Sequence, residues 1–364
     1  MAWDIYRFSQ RRSHSAIGVP YFIFMPNFWT QLNKPIFALA PMEEVTDVAF
    51  REMFAKYGKP DVMYTEFVNV DGLTHPEGYK KLSIDLKFTQ IQRPMVAQIW
   101  GTNPEKFYEA AKIIVGLGFD GIDINMGCPQ DKEIGIGACA ALIRTPELAG
   151  EIIEAVKRGA RLRQGFGGQA GELPVSVKTR LGYSKTDEMA EWLKHLLKFN
   201  LSAIALHART KQEKSKVPAH WEKVKEAVEI RNRLQVTGDE SHKTLIIGNG
   251  DIKSREEGLA RIAETGCDGV MVGKGAFGNP WFFRQDGYQP NIKERLSVML
   301  EHAALFEKEF GGIKSFFVMR KHFKAYASGF PGSHELRAKL METKTLGEVE
   351  KIAHEFLDLN YKLQ

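Results

Sequence analysis

From Lys34 onward, short apolar runs alternate with polar or glycine-bearing turns and with segments of helical periodicity. The runs predict eight strands, over residues 36–40, 62–65, 95–99, 121–125, 175–179, 203–207, 245–248 and 269–272. Between them, apolar positions three or four residues apart predict helices over 47–56, 104–117, 146–158, 187–198, 221–233 and 254–264. Pro104 and Pro146 suit first-turn positions, with Asn103 and Thr145 as caps. Ser254 opens a capping box that Glu257 closes. Residues 72–86 are poorly periodic. Eight β–α units over about 240 residues predict an α/β fold of the (β/α)8 TIM-barrel type more than a doubly wound sheet.

After Pro280 the pattern changes. Residues 291–310, 313–328 and 333–363 read as helices, and no strand follows. The chain thus divides into an N-terminal extension (1–33), a barrel (34–288) and a C-terminal helical domain (289–364). The middle helix carries Lys314, Arg320, Lys321, His322 and Lys324, interleaved with Phe316, Phe317, Phe323 and Tyr326. Residues 161–172 hold four glycines and two glutamines and read as a flexible surface insertion. Residues 237–243 read as a polar turn. In the extension, three arginines precede an apolar stretch broken by Pro20 and Pro26, without a clear small-residue cleavage site, so either a segment packed loosely on the barrel or a misassigned start codon is expected more than a targeting signal.

Composition changes this picture little. At 43% hydrophobic and 26% charged residues the chain is ordinary for a soluble globular protein. No apolar run reaches the roughly 18–20 residues that cross a bilayer. Three cysteines without a C-x-x-C pair give no disulfide framework and no zinc site, and fit a reducing cytoplasm. A cytoplasmic monomer without metal or membrane contact is expected. The net charge of +5 permits an anionic partner such as RNA without requiring one.

Barrel chemistry gathers at the carboxyl ends of the strands. Here those ends carry Pro41-Met42, Glu66, Gln98, Asn125 to Cys128, Lys178, His207 with Arg209, Asn249-Gly250-Asp251 and Gly273-Lys274-Gly275. The last stretch opens a G-x-G-x-x-G pattern. No β–α unit follows it, so it is weak as a dinucleotide fingerprint and stronger as the phosphate grip of a barrel. Residues 248–251 would supply the other half. A phosphate there leaves room for a flat ring across the mouth. Gln98 and Asn125 either bond the ring edge or satisfy backbone groups. Lys178 suits a ring oxygen that gains negative charge. His207 either bonds the ligand or is a core histidine. Their convergence points to an FMN site. Cys128, mostly protonated at neutral pH, can then give a proton to a carbon while a hydride arrives from the other face. Cys139 is the alternative donor, and Cys267 reads as a small buried hydrophobe.

The stretches 40–47, 96–99, 123–129, 177–182, 206–210, 248–252 and 272–281 resemble the tRNA-dihydrouridine synthase family, and Met319 to His322 with 329–332 resemble its helical RNA-binding domain. The resemblance implies FMN-dependent reduction of the uracil 5,6 double bond in selected tRNA uridines. It implies NADPH, or NADH, as reductant, hydride delivery to C6 and Cys128 as the proton donor to C5. By the same resemblance, flavin contacts fall to Pro41, Met42, Glu43, Gln98, Lys178, Asn249, Gly250, Asp251, Gly273 and Lys274, with Asn125 and His207 as further contacts. Arg209, Arg320, Lys321 and His322 are expected at the tRNA. The chain departs from the family pattern at Lys274, where arginine is common, at Glu43-Glu44, where small residues are common, and in its insertion and extension.

Overall fold

The computed structural model describes residues 27–161, 171–235 and 243–361, without the last two side chains. The extension as far as residue 26, most of the 161–172 insertion and most of the 237–243 turn lie outside the described residues.

Strand β1 (Ile36–Leu39) is followed by helix α1 (Val48–Tyr57). Two short strands, β2 (Met63–Tyr64) and β3 (Val68–Asn69), stand where one was expected. The poorly periodic stretch becomes α2 (Val70–Leu73), α3 (Pro76–Leu82) and a 3-10 turn. Then come β4 (Met95–Trp100), α4 (Pro104–Leu117), β5 (Gly121–Met126), α5 (Asp131–Gly135) and α6 (Pro146–Gly159). The barrel ends with β6 (Val175–Arg180), α7 (Met189–Leu197), β7 (Ala203–His207), α8 (Trp221–Leu234), β8 (Leu245–Asn249), α9 (Arg255–Thr265) and β9 (Gly269–Val272). Asn103 caps α4 through the Glu105 and Lys106 amides, whereas Thr145 makes no side-chain cap on α6. Ser254 caps α9, but Glu257 reaches the Lys253 amide instead of closing the box.

All pairings between named strands are parallel, in the order β1-β9-β8-β7-β6-β5-β4-β2, with β3 continuing β2 along β4. The ring closes where Ala38 bridges Val62 and the Leu39 N–H donates to the Val62 carbonyl at 3.0 Å. Because successive side chains alternate across a strand, Ile36, Ala38, Val62, Tyr64, Val96, Ala203, Ala205, Ile247 and Met271 share one cluster inside the ring. Phe37, Leu39, Ile122, Ile124 and Val177 pack outward under the helices.

Past the barrel, α10 (Ile292–Phe310), α11 (Met319–Tyr326), α12 (Ser333–Glu342) and α13 (Leu346–Tyr361) form the helical part. The expected helix over 313–328 shortens to α11 behind a 3-10 turn at Phe316–Val318. The expected helix over 333–363 is two helices. Thr343 turns its N–H and hydroxyl back onto the Leu340 carbonyl and leaves the helical conformation, a β-branched hydroxyl residue competing with the backbone ladder. The helical part does not have a core to itself. Val48, Ala49 and Met53 of α1, with Trp281, share one cluster with Leu296, Met299, Phe306, Phe323, Tyr326 and Leu340.

Candidate active site

One quadrant of the barrel interior, on β4 to β6, is polar. Gln98, Asp123, Asn125 and Ser176 are buried there and satisfy one another. Gln98 Nε2 donates to Asp123 Oδ2 at 2.7 Å, Ser176 Oγ donates to Asp123 Oδ1 at 2.6 Å, and Asn125 Nδ2 donates to Gln98 Oε1 at 3.1 Å. Burial lifts the Asp123 carboxyl to about 6 against the pull of those hydrogen bonds.

Asn125 shapes the turn that carries the cysteine. Its Oδ1 accepts the Gly127 N–H at 3.0 Å and the Cys128 N–H at 2.9 Å, which folds the chain back over the strand end. Gly127 lies against β6, where a Cβ would sit 3.2 Å from the Lys178 carbonyl oxygen. Arg180, buried at the end of β6, braces the other side. Its Nε donates to the Gly127 carbonyl at 2.7 Å, and its Nη1 donates to the carbonyls of Thr210 at 3.0 Å and Lys214 at 3.1 Å. Burial draws its guanidinium down to about 10, so it keeps its charge at neutral pH.

Cys128 is half-buried at the mouth. The neighbouring Cys139 thiol lowers its pKa, while burial and the carboxylates of Glu133 and Glu43 oppose that shift. Lys178 reaches the same space from β6. Burial and the neighbouring Arg180 charge pull its ammonium down to about 8, and among the described residues it has no hydrogen-bond partner. Burial, then the charges of Arg180, Lys178, Arg209 and Lys274, hold the His207 ring well below the usual histidine range, so it is neutral.

Across the mouth, three and four strands round the ring from β5, lie the loops after β8 and β9. They meet backbone to backbone, since a Cβ on Gly275 would fall 1.9 Å from the Ile252 carbonyl oxygen. Gly250 has a φ of 133° and leaves room for the His207 ring. The amides of Gly273, Lys274 and Gly275 open a 3-10 turn and have no backbone acceptor among the described residues. With the exposed Lys274 beside them they form a cradle for an anion. Met42 covers Gly273 from the loop after β1. A phosphate on those amides and a ring reaching toward Lys178 fit the donors that this mouth leaves free.

The pattern of the dihydrouridine synthase family (Dus) matches residues 38–360. The chain belongs to that family. It is 41% identical over 342 residues to the "Probable tRNA-dihydrouridine synthase" of Staphylococcus aureus (strain MRSA252), covering 93% of this chain and 99% of that protein. It is also 41% identical over 333 residues to the "Probable tRNA-dihydrouridine synthase 2" of Bacillus subtilis (strain 168), covering 91% and 96%. Among solved structures, histamine dehydrogenase from Rhizobium sp. 4-9 overlays with a TM-score of 0.49 and 13% identity, over 74% of this chain and 48% of that one. This family member is an oxidoreductase of the tRNA-dihydrouridine synthase type.

The enzyme brings Met42, Glu43, Cys128, Lys178, His207, Gly250, Gly273 and Lys274 to one mouth, with Pro41 buried beneath the first loop. Other expected site residues have different tasks. Gln98 and Asn125 bond each other and the cysteine turn, and the Asn249 amide donates to the Met271 carbonyl at 2.7 Å. Arg209, expected at the tRNA, is 4% exposed. It donates to the Val217 carbonyl at 2.6 Å and pairs with Asp251, so both residues brace the strand-seven loop. His322 is fully buried between Phe277, Phe50 and His302, because its face of α11 packs on the barrel; no RNA reaches it. Arg320 lies 4.0 Å over the Phe317 ring and donates to the Thr343 carbonyl, while Lys321 pairs with Glu44 at 3.1 Å.

Sequence reasoning gave no role to Arg180 or to the Cys139 contact. Arg180 shares the β6 face of Ser176 and Lys178, and that two-residue spacing was the available signal. Glu66 was noted only as a strand end. It accepts the Glu44 N–H and meets Lys314 of the helical part at 3.3 Å, and burial lifts its carboxyl to about 7. No described helix is long and apolar enough to cross a membrane, and no metal-holding cluster occurs among the described residues.

Proposed function

We propose that this enzyme reduces the 5,6 double bond of selected tRNA uridines, with FMN as its resident cofactor, NADPH or NADH as reductant and Cys128 as proton donor. The observation that carries the reading is the shared mouth. A cysteine held by Asn125 and Arg180 stands across from a cradle of amides, and the neighbouring strand brings a lysine ammonium; among the described residues neither the amides nor the ammonium has a partner. FMN, when bound, would supply the hydride for uracil C6. The amides of Gly273 to Gly275 and Lys274 would hold its phosphate. Lys178, still charged at neutral pH, gives its hydrogens to the ring edge and offsets negative charge there. Neutral His207, the backbone at 249–251 and Met42 would border the bound ring.

Cys128 lends its proton to C5, and the turn amides locked by Asn125 keep the thiol from swinging away. The substrate is tRNA, whose phosphates suit the lysines of α11 and whose uridine must leave its stack to reach the mouth. The setting of this reading is a cytoplasmic monomer without a metal ion, in keeping with three unpaired thiols.

Purified Cys128→Ala tests it. The variant is expected to keep its bound flavin and yellow colour and to lose most formation of dihydrouridine in tRNA. Undiminished dihydrouridine in that variant sinks the proton-donor assignment, and a colourless wild type that takes up no flavin sinks the cofactor.

A further inference from the structure

Phe316 and Phe317 are neighbours that face opposite ways. Phe316 packs inward, its ring 6.3 Å from that of Phe306 and 6.0 Å from that of Phe323. Phe317 stays 51% exposed. The Arg320 guanidinium lies 4.0 Å over the Phe317 ring, and its Nε and Nη2 are fixed on the Thr343 carbonyl at 3.4 and 3.1 Å. One face of the ring is thus roofed by a held cation, and much of the rest meets solvent. Arg320, Lys321 and Lys324 follow Phe317 by three, four and seven residues and share the outward stripe of α11, while Met319, His322, Phe323 and Tyr326 fill its buried stripe. Lys324 is exposed and has no ion-pair partner among the described residues. Two ion pairs fix where this stripe stands. Lys314 meets Glu66, which follows β2, at 3.3 Å, and Lys321 meets Glu44, which follows β1, at 3.1 Å. Both carboxylates lie in loops at the carboxyl ends of strands, so Phe317, between the two lysines in the chain, stands at the rim of the mouth that holds Cys128.

We propose that Phe317, with Arg320 behind it, is a stacking platform for an unpaired base of the tRNA loop that delivers the target uridine. The inference rests on the reading of tRNA as substrate. What recognises the base is a flat π face beside cations. Every nucleobase has a face to lay on it, and the flanking phosphates suit Lys324 and the remaining Arg320 donors. A uridine that leaves its stack also strips a neighbouring base of its partner, and a ring at the rim supplies a new one. Charge favours this occupant over a second copy of the chain. Helix α11 carries no acid, and the chain is itself positive at +5, so two copies meeting through this stripe would repel.

Fluorescence anisotropy of a labelled, unmodified tRNA transcript, titrated with the full-length enzyme as purified, tests the platform. A blunt RNA duplex of similar charge, which offers no unpaired base, is the comparison. Phe317→Ala and Phe317→Leu are expected to weaken tRNA binding about tenfold, within what one base on an aromatic ring supplies, and Phe317→Trp to bind at least as tightly as the wild type. Duplex binding is expected to be alike in all of them. The slope of affinity against salt is expected to hold in Phe317→Ala and to shrink by about one in Lys324→Met, because a lysine on a phosphate releases a counterion and a ring does not. Circular dichroism checks that each variant is folded, and the exposed position is expected to leave the melting temperature unmoved. Wild-type affinity in the Ala or Leu variant, a Trp variant as weak as Ala, or equal losses on tRNA and duplex overturns the platform and leaves tRNA as the substrate. A wild type that binds the tRNA no better than the duplex overturns the substrate reading, and the platform with it. A dimer on gel filtration that Phe317→Ala dissolves, with tRNA affinity unmoved, overturns the platform by giving the ring to a second copy.

Discussion

Asn125→Ala removes three hydrogen bonds at once. Two are accepted by Oδ1 from Gly127 and Cys128, and one is given by Nδ2 to Gln98. Asn125 is 5% exposed, so water does not replace them in place. The Cys128 amide lies in a half-buried residue and can turn toward the mouth, a loss of about 1 kcal/mol. The Gly127 N–H and one lone pair of Gln98 Oε1 stay buried, at about 1 kcal/mol each or somewhat more. The sum is about 3 kcal/mol of folding stability, measured by urea titration with far-ultraviolet circular dichroism. Freed of its two anchors, the thiol loses its aim. A displacement of about 1 Å at a reacting atom lowers rates on the order of a hundredfold, so single-turnover formation of dihydrouridine is expected to fall by about that factor. A stability loss below about 1 kcal/mol together with an unchanged single-turnover rate refutes the assignment of Asn125 to the cysteine turn.

Three further outcomes follow from the geometry. Gly275→Ala puts a methyl 1.9 Å from the Ile252 carbonyl oxygen, so the two loops part at a cost of about 1–3 kcal/mol; flavin retention on gel filtration is expected to drop, and full retention contradicts the cradle. Lys178 is held at about 8 in the native protein against 10.5 ordinarily, so between those values the unfolded chain binds more protons and stability rises with pH; the wild type is expected to gain on Lys178→Met across that window, and a constant difference counts against the buried ammonium. Glu66 is held at about 7 against 4.5, so its native protonation stabilises at low pH and the benefit fades as pH rises through 7; Lys314→Met takes away its cation, pushes that fade to higher pH and lowers the melting temperature at pH 8 more than at pH 6, whereas equal losses at both refute the pairing.

The barrel was legible because period-two and helical patterns alternate cleanly, and each predicted strand has a counterpart. The second strand split because the chain between Thr65 and Phe67 leaves the sheet where Glu66 turns to meet Glu44 and Lys314, contacts with partners far away in sequence. The tail misled because Thr343 looks like any polar helical position until its hydroxyl is seen on the Leu340 carbonyl. At the site, residue type and strand-end position were enough to bring cysteine, lysine, histidine and glycines together. They could not tell a side chain facing a ligand from one bracing a loop. Arg209 and Asp251 are polar at strand ends yet answer each other, and His322 sits among basic residues on a face that turns inward. Which face of α11 is covered depends on α1 and on Phe277, and no local pattern in 314–324 encodes that.

Helix α1 belongs at once to the ring and to the tail, through Val48, Ala49 and Met53. Its consequence is evolutionary. A tail exchanged with a relative's at the start of α10 would meet a seam written for another partner, and cutting the tail away would bare that apolar stripe. Changes on the buried side of the tail must therefore be inherited together with changes near the start of the barrel, more than two hundred residues upstream. In this lineage the barrel and the helical tail cannot drift apart as independent modules.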